Sequence, residues 1–265
     1  RSVTIEGNVM KFAAIQHDIA WCDREANFDH LRVLIAEAEL NGAEFVLLTE
    51  TFSTGFAVDN SSFAEVTGGP SSQFLASMAK EHHIWIGGTC PELAATSADG
   101  RPANTFVVVS PDGIEHRYEK IHPFTFGGED KHVRPGSEFV TIDVGDLRVS
   151  LFVCYDLRFA DEFWQRAKDT DVFLVPANWP ESRSMHWLSL LQARAIENQT
   201  YVIGCNRVGQ GGSLVYSGDS RIFDPYGETL AQGAPHEECI LYADVTRERV
   251  TEVREKFRFL QDRRL

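Results

Sequence analysis

Cysteine is the residue type in this chain best suited to covalent chemistry, and its five copies, Cys22, Cys90, Cys154, Cys205 and Cys239, sit in different contexts. Cys154 ends the apolar run Leu147-Arg-Val-Ser-Leu-Phe-Val153 and precedes Tyr155-Asp-Leu-Arg-Phe159, which leads into a helix. A thiol at a strand-to-helix turn projects from a sheet edge. There the next backbone N–H groups can cradle an oxyanion, and the helix N-terminus favours thiolate. Cys90, after Ile84-Trp-Ile-Gly-Gly-Thr89, is a rival with a strand-end position. Cys205 and Cys239 fall in apolar, strand-like runs that read as core, and Cys22 in a loop. A thiol attacking an amide also needs a base, because thiolate is the nucleophile and the departing amine needs a proton. His122 is one candidate. Glu50 is more suggestive: it ends the apolar strand Phe45-Val-Leu-Leu48 and opens Thr51-Phe-Ser-Thr-Gly-Phe56, where partial desolvation would raise its pKa toward that of a general base. Lys120, closing Glu115-His-Arg-Tyr-Glu-Lys120, would depress the thiol pKa and stabilise oxyanion charge if held near Cys154. Glu129, in Gly127-Gly-Glu-Asp-Lys131, is a second carboxylate. Taken singly, a core cysteine, solvated glutamates and a surface lysine are the ordinary readings of these residues.

The elements that must position them alternate in type along the chain. Lys11–Gln16 reads as a strand, and Phe28, Leu31, Leu34, Ile35 and Ala38 recur at helical spacing up to a stop at Asn41-Gly42. Glu44–Leu48 is a short apolar strand of the kind buried on both faces. Ser72–His82 reads as a helix and Ile84–Ile86 as a strand. Thr105–Val109 and Gly113–Tyr118 flank the turn Pro111-Asp-Gly113 as a hairpin. Leu147–Val153 is a strand, Ala160–Ala167 a helix, Val172–Val175 a strand, Ser184–Asn198 a helix and Tyr201–Cys205 a strand. Ser217–Phe223 and Glu228–Ala231 bracket the turn Asp224–Gly227. This pattern predicts one α/β domain with mixed sheets. Two long polar loops, Phe52–Pro70 and His122–Gly136, are of a kind that is usually functional.

Composition bounds the partners. The 265 residues are 43% hydrophobic, which is ordinary globular usage. Lys and Arg number 25 against 39 Asp and Glu, a net −14, and that field repels nucleic acid and anionic membrane surfaces. No run approaches the roughly 18 apolar residues of a membrane span, and Arg1–Val9 lacks the features of a signal peptide. Because Met10, just before the strand Lys11–Gln16, looks like a natural start, residues 1–9 read as a tag or upstream extension. An odd number of scattered cysteines points to free thiols in a reducing cytoplasm. His122, Glu129, Asp130 and His132 cluster without metal-ligand spacing, and no phosphate-loop, dinucleotide or serine-hydrolase motif occurs.

In order, Glu50, Lys120 and Cys154 resemble the Glu-Lys-Cys triad of the nitrilase (carbon–nitrogen hydrolase) superfamily. The matching segments are Leu47-Leu-Thr-Glu-Thr-Phe-Ser-Thr-Gly-Phe56, Tyr118-Glu-Lys-Ile-His-Pro-Phe124 and Val153-Cys-Tyr-Asp-Leu-Arg-Phe159. The likeness continues through His186-Trp187, Leu191–Asn198 and Asp224-Pro-Tyr-Gly227. Glu129 matches an additional glutamate of many members, and Thr49 stands where many carry Pro. The resemblance, from about Met10 to the C-terminus, implies a carbon–nitrogen hydrolase domain over residues 10–265. It also implies an α/β fold, a four-layer α-β-β-α sandwich of two mixed sheets with helices outside. No metal or organic cofactor is called for, and two subunits would pack helix layers together as a homodimer. Ala177-Asn-Trp-Pro-Glu-Ser-Arg183 and Gly204-Cys-Asn-Arg-Val-Gly209 look like the omega-amidase branch, which deamidates 2-oxo acid amides such as 2-oxoglutaramate and 2-oxosuccinamate. The resemblance then implies Glu50 as base, Cys154 as nucleophile through a thioester, the Tyr155 N–H and Lys120 at the oxyanion, and Glu129 in support. Such a substrate carries a carboxylate remote from the scissile amide, so the pocket should offer a cation or aimed N–H groups. Arg183, Arg207 and Lys131 are candidates, with Trp179 and Phe124 as further substrate contacts, while Arg158 is expected to pair structurally. The alternatives are another superfamily activity on simple amides, N-carbamoyl amides or nitriles, a non-catalytic relative, and a glycosidase built on Glu50 and Glu129.

Overall fold

A computed structural model describes residues 8–60 and 63–264, so the expected extension over residues 1–9 lies, for 1–7, outside the described residues. The first half of the chain runs β1 (Met10–Gln16), α1 (Arg24–Leu40), β2 (Phe45–Leu47), β3 (Glu65–Val66), α2 (Pro70–His82), β4 (Trp85–Leu93), β5 (Ala103–Val109), β6 (Glu115–Glu119) and a one-turn helix α3 (Glu129–His132). The second half runs β7 (Thr141–Val144), β8 (Leu147–Leu151), α4 (Ala160–Arg166), β9 (Val172–Ala177), α5 (Ser184–Asn198), β10 (Tyr201–Asn206), β11 (Val208–Gly211), β12 (Leu214–Ser217), β13 (Arg221–Phe223), β14 (Thr229–Gln232), β15 (Cys239–Val245) and α6 (Arg247–Lys256).

Two mixed sheets result, β15-β1-β2-β4-β5-β6 with β3 beside β4, and β14-β13-β10-β9-β8-β7. Each has parallel strands at its centre: β1, β2 and β4 in one, β8, β9 and β10 in the other. Period-2 alternation sets the layers. Phe12, Ala14, Phe45 and Leu47 enter a core shared with Val149, Leu151 and Phe173 of the opposite sheet. Ala13, Ile15, Val46 and Leu48 point the other way, onto Phe28, Leu31, Phe74 and Leu75 of α1 and α2. Trp187, Leu191 and Ala195 of α5 cover the far face of the second sheet. The α-β-β-α sandwich is thus present, with helices outside two mixed sheets.

Some boundaries move. The strand after α2 does not stop at Ile86 but runs to Leu93, so Cys90 is buried in mid-strand and is no rival nucleophile. Gly87 and Gly88 lie within this strand, where Phe106 and Phe52 leave no room for a Cβ. Ser217–Phe223 is likewise not one strand: the chain turns at Gly218, φ +79°, and passes from the separate β11–β12 hairpin into the second sheet.

Candidate active site

Four strand ends meet at one point. Glu50 lies just beyond β2, Lys120 follows β6, Cys154 follows β8 and Asn178 follows the parallel neighbour β9. Open α/β sheets characteristically bind ligands beyond the carboxyl ends of parallel strands. Cys154 occupies the first position of a 3₁₀ turn, Cys154–Arg158, at φ +45°, a left-handed value that a β-carbon disfavours. The turn is fixed by Asp156, whose Oδ2 accepts from the Val153 backbone N–H at 2.9 Å and the Tyr118 hydroxyl at 2.8 Å. Its Oδ1 accepts from the His122 N–H at 3.0 Å. Thr51, directly after Glu50, is also left-handed at φ 45° and is held by Thr89 Oγ1 and by the Asn178 side chain.

Glu50, Lys120 and Glu129 are fully buried, and Cys154 is 8% exposed. Lys120 Nζ lies 2.8 Å from Glu50 Oε1 and 2.9 Å from Glu129 Oε2. The Asn104 amide donates to both carboxylates, at 2.9 and 3.0 Å, and the Asn178 N–H donates to Glu50 Oε2 at 2.8 Å. The Cys154 Sγ lies 4.0 Å from the Asn178 carbonyl oxygen, to which the thiol can donate. Burial acts to lower the Lys120 pKa, but the flanking Glu129 and Glu50 carboxylates outweigh it and hold the ammonium well above its ordinary range. Burial raises Glu129 as well, opposed by Lys120. The Cys154 thiol is pushed well up by burial and then by Glu50, against a smaller opposing effect of Lys120. Lys120 thus lowers the thiol as expected, but burial and Glu50 outweigh it, because the ammonium is shared between two carboxylates.

Cys154 and Asn178 line two adjoining cavities. The larger, about 340 Å³, also includes Glu50, Lys120, Phe124, Lys131 and Tyr216, and is walled by Gly211–Leu214 of the β11–β12 hairpin. The smaller, about 20 Å³, is formed by Phe124, Tyr155, Arg158, Trp179, Pro180 and Arg183. Phe124, Tyr155, Trp179 and Arg183 thus line the same cavity as the Cys154 thiol. Arg158 and Arg183 are half-buried, lie over the Trp179 and Phe124 rings at 4.8 and 5.5 Å, and pair with no carboxylate among the described residues. Arg158, expected to pair structurally, does so with His186 and the Tyr155 and Trp179 faces and, among the described residues, with no carboxylate. Arg207 is the other correction. Fully buried behind Tyr216, it binds Asp18 and the carbonyls of Val208, Ile19 and Gln210, so it braces the hairpin and does not face the cavities. Asn104, Asn178 and Asp156 were missed as site residues. Asn178 and Asp156 carry a usable signal, a polar side chain at or just past a strand end, but Asn104 opens an otherwise apolar strand and has none.

The sequence pattern of the carbon-nitrogen hydrolase family matches residues 11–255. The chain belongs to that family. This carbon-nitrogen hydrolase is 35% identical to the omega-amidase YafV of Escherichia coli strain K12, with 96% of each chain covered. It is 32% identical to the 2-oxoglutaramate amidase of Bacillus subtilis, covering 94% of this chain and 96% of that one. Among solved structures it resembles XC1258 of Xanthomonas campestris, a CN-hydrolase superfamily protein with an arsenic adduct in its active site. That match has a TM-score of 0.90 at 29% identity and covers 97% of this chain and 98% of that one. The protein is a hydrolase of carbon–nitrogen bonds, an amidase of the nitrilase superfamily.

Proposed function

We propose that this hydrolase removes ammonia from the terminal amide of 2-oxo dicarboxylic acid monoamides such as 2-oxoglutaramate and 2-oxosuccinamate, by way of a thioester on Cys154. Glu50 takes the thiol proton as Sγ forms a bond to the amide carbon, and the carbonyl oxygen becomes an oxyanion held by Lys120 and the Tyr155 N–H. Collapse breaks the C–N bond, with Glu50 passing its proton to the leaving ammonia. Glu50 then takes a proton from water as the water oxygen attacks the thioester. The C–S bond breaks, the acid departs and Sγ recovers its proton. Glu129 and Asn104 keep Lys120 and Glu50 aligned.

One observation carries the choice of substrate. In a protein of net charge −14, two guanidiniums without carboxylate partners, Arg158 and Arg183, border the thiol. A half-buried cation left unpaired is suited to a ligand carboxylate, and Lys131 on the rim of the larger cavity offers a further charge. The relatives named omega-amidase and 2-oxoglutaramate amidase support the same reading. The test is ammonia release from 2-oxoglutaramate, 2-oxosuccinamate, glutamine, an N-carbamoyl amino acid and a simple nitrile. Turnover of the first two is expected to dominate. Activity confined to the nitrile or to the carbamoyl compound overturns the substrate assignment.

A further inference from the structure

Behind the nucleophile turn, the His122 ring lies between two carboxylates. Its Nδ1 is 3.0 Å from Asp156 Oδ1 and its Nε2 is 3.3 Å from Glu162 Oε1 of α4, while its face stacks on Phe159 at 3.6 Å and 10°. Asp156 is the group that ties down Val153 and so fixes the Cys154 turn. Two residues beyond His122, the Phe124 N–H donates at 2.5 Å to the same Glu129 oxygen that holds Lys120. One ring therefore couples α4 to both halves of the site. Nothing in the reaction proposed above uses it.

We propose that His122 and Glu162 are positioning residues: the protonated imidazole, braced between Glu162 and Asp156, locks the Cys154 turn against the segment bearing Lys120 and Glu129, and loss of charge from this bridge slackens the site. The proposal rests on the assignment of Cys154, Lys120 and Glu50 as the reacting groups. The charged groups facing the ring are Asp156 from the nucleophile turn and Asp161 and Glu162 from α4, with Tyr118 of β6 bonded to Asp156. Burial lowers the imidazole pKa, but Asp156 and Glu162 outweigh it and raise the net value. Burial pushes Glu162 up to about 7, opposed by His122 and reinforced by Asp156 and Asp161. Its Oε2 is buried and has no hydrogen-bond partner among the described residues. As the pH falls through about 7, Glu162 takes up a proton and the bridge loses its negative arm. As the pH rises past the raised imidazole value, Nε2 loses its proton and faces a carboxylate with none to share.

The test is the pH profile of kcat/KM for ammonia release from 2-oxoglutaramate, with melting temperatures taken in parallel. Wild type is expected to lose activity through an ionisation near pH 7 on the acid side. Glu162→Gln, which retains a neutral acceptor, is expected to remove that ionisation with KM held. Asp161→Asn, which deletes a negative neighbour, should move it to lower pH. Glu162→Ala should lower kcat roughly 10- to 100-fold, the scale set by displacing a catalytic group by about an ångström, with KM little changed. If Glu162→Ala fails to fold, the Gln and Asn variants still decide. A Glu162→Gln profile that superimposes on wild type, or variants that change melting temperature alone, overturns the proposal. Cys154→Ala separates the two levels: if it is as active as wild type, the site assignment itself falls, whereas an inactive Cys154→Ala beside unaltered Glu162 variants sinks only the positioning role.

Discussion

Burial and Glu50 together raise the Cys154 thiol further than Lys120 lowers it, so the proposed attack calls for a base beside the sulfur. That places the demand on Glu50, which the surrounding donors orient from three sides, through Lys120, Asn104 and the Asn178 N–H. Glu50→Gln preserves an acceptor oxygen for Lys120 but cannot take a proton. A positioned general base is worth about 10²- to 10⁴-fold, so a kcat loss of about 1000-fold or more is expected, with an unchanged circular dichroism spectrum and little change in KM. Cys154→Ala should show no turnover, and intact-mass measurement with substrate should find an acylated Cys154 in wild type only. Lys120→Met is a poorer probe, since it leaves two buried carboxylates unpaired, a change that typically costs about 3–5 kcal/mol of stability. At this scale the sequence was legible in residue type and order. It was illegible in electrostatics: nothing in Gly127-Gly-Glu-Asp-Lys131 signals that Glu129 is fully buried against Lys120, which dilutes the effect of the ammonium on the thiol.

At the scale of elements, the reading succeeded wherever apolar spacing was regular, as for α1, α2, α5 and β1, and failed where tertiary contacts override local pattern. Gly87-Gly88 resembles a stop signal but is a packing requirement inside β4. Gly204 is a second such position. A Cβ there would fall 2.5 Å from Leu191 Cδ1 and 2.8 Å from Trp187 Cζ2, where α5 rests on β10. Gly204→Ala should therefore cost about 1–3 kcal/mol through overpacking, read as a lower urea midpoint with unchanged slope. Arg207 sits in a segment whose sequence suggested a substrate cation. Only the path of β11 and β12, which pair with each other apart from both large sheets, shows it to be a brace. Arg207→Met removes the bonds to Asp18 and to three carbonyls. The expected outcome is a destabilisation of about 2–3 kcal/mol from the orphaned buried acceptors. KM should rise as well, because Gly211–Leu214 wall the larger cavity. An unchanged KM alongside lowered stability would separate the hairpin from substrate binding.

For the molecule as a whole, net charge and interior chemistry make opposite demands as the pH falls. Acidification from pH 7 reduces a net charge of −14 and with it the self-repulsion of the compact state, which favours folding. His17 works against that. It is fully buried where β1 passes to the hairpin, its carbonyl accepting the Val208 N–H at 3.1 Å and its Nδ1 lying 3.3 Å from the Ile15 carbonyl oxygen, while Nε2 has no partner among the described residues. Burial pushes its pKa down to about 4 from 6.5; the Ile15 carbonyl pulls it back up, and Arg207 adds to the fall. Between those values the unfolded chain binds a proton that the folded one refuses, so stability falls as pH drops below 6.5 and levels off below about 4. The loss attributable to this one imidazole is about 2.5 kcal/mol by pH 4.5. His17→Leu, with no base to protonate, should show an unfolding free energy that declines less between pH 7 and pH 4.5 by about that amount, measured by urea titration at each pH. If wild type and His17→Leu decline in parallel, the imidazole reaches solvent on acidification, and the acid sensitivity of the fold belongs to its buried carboxylates.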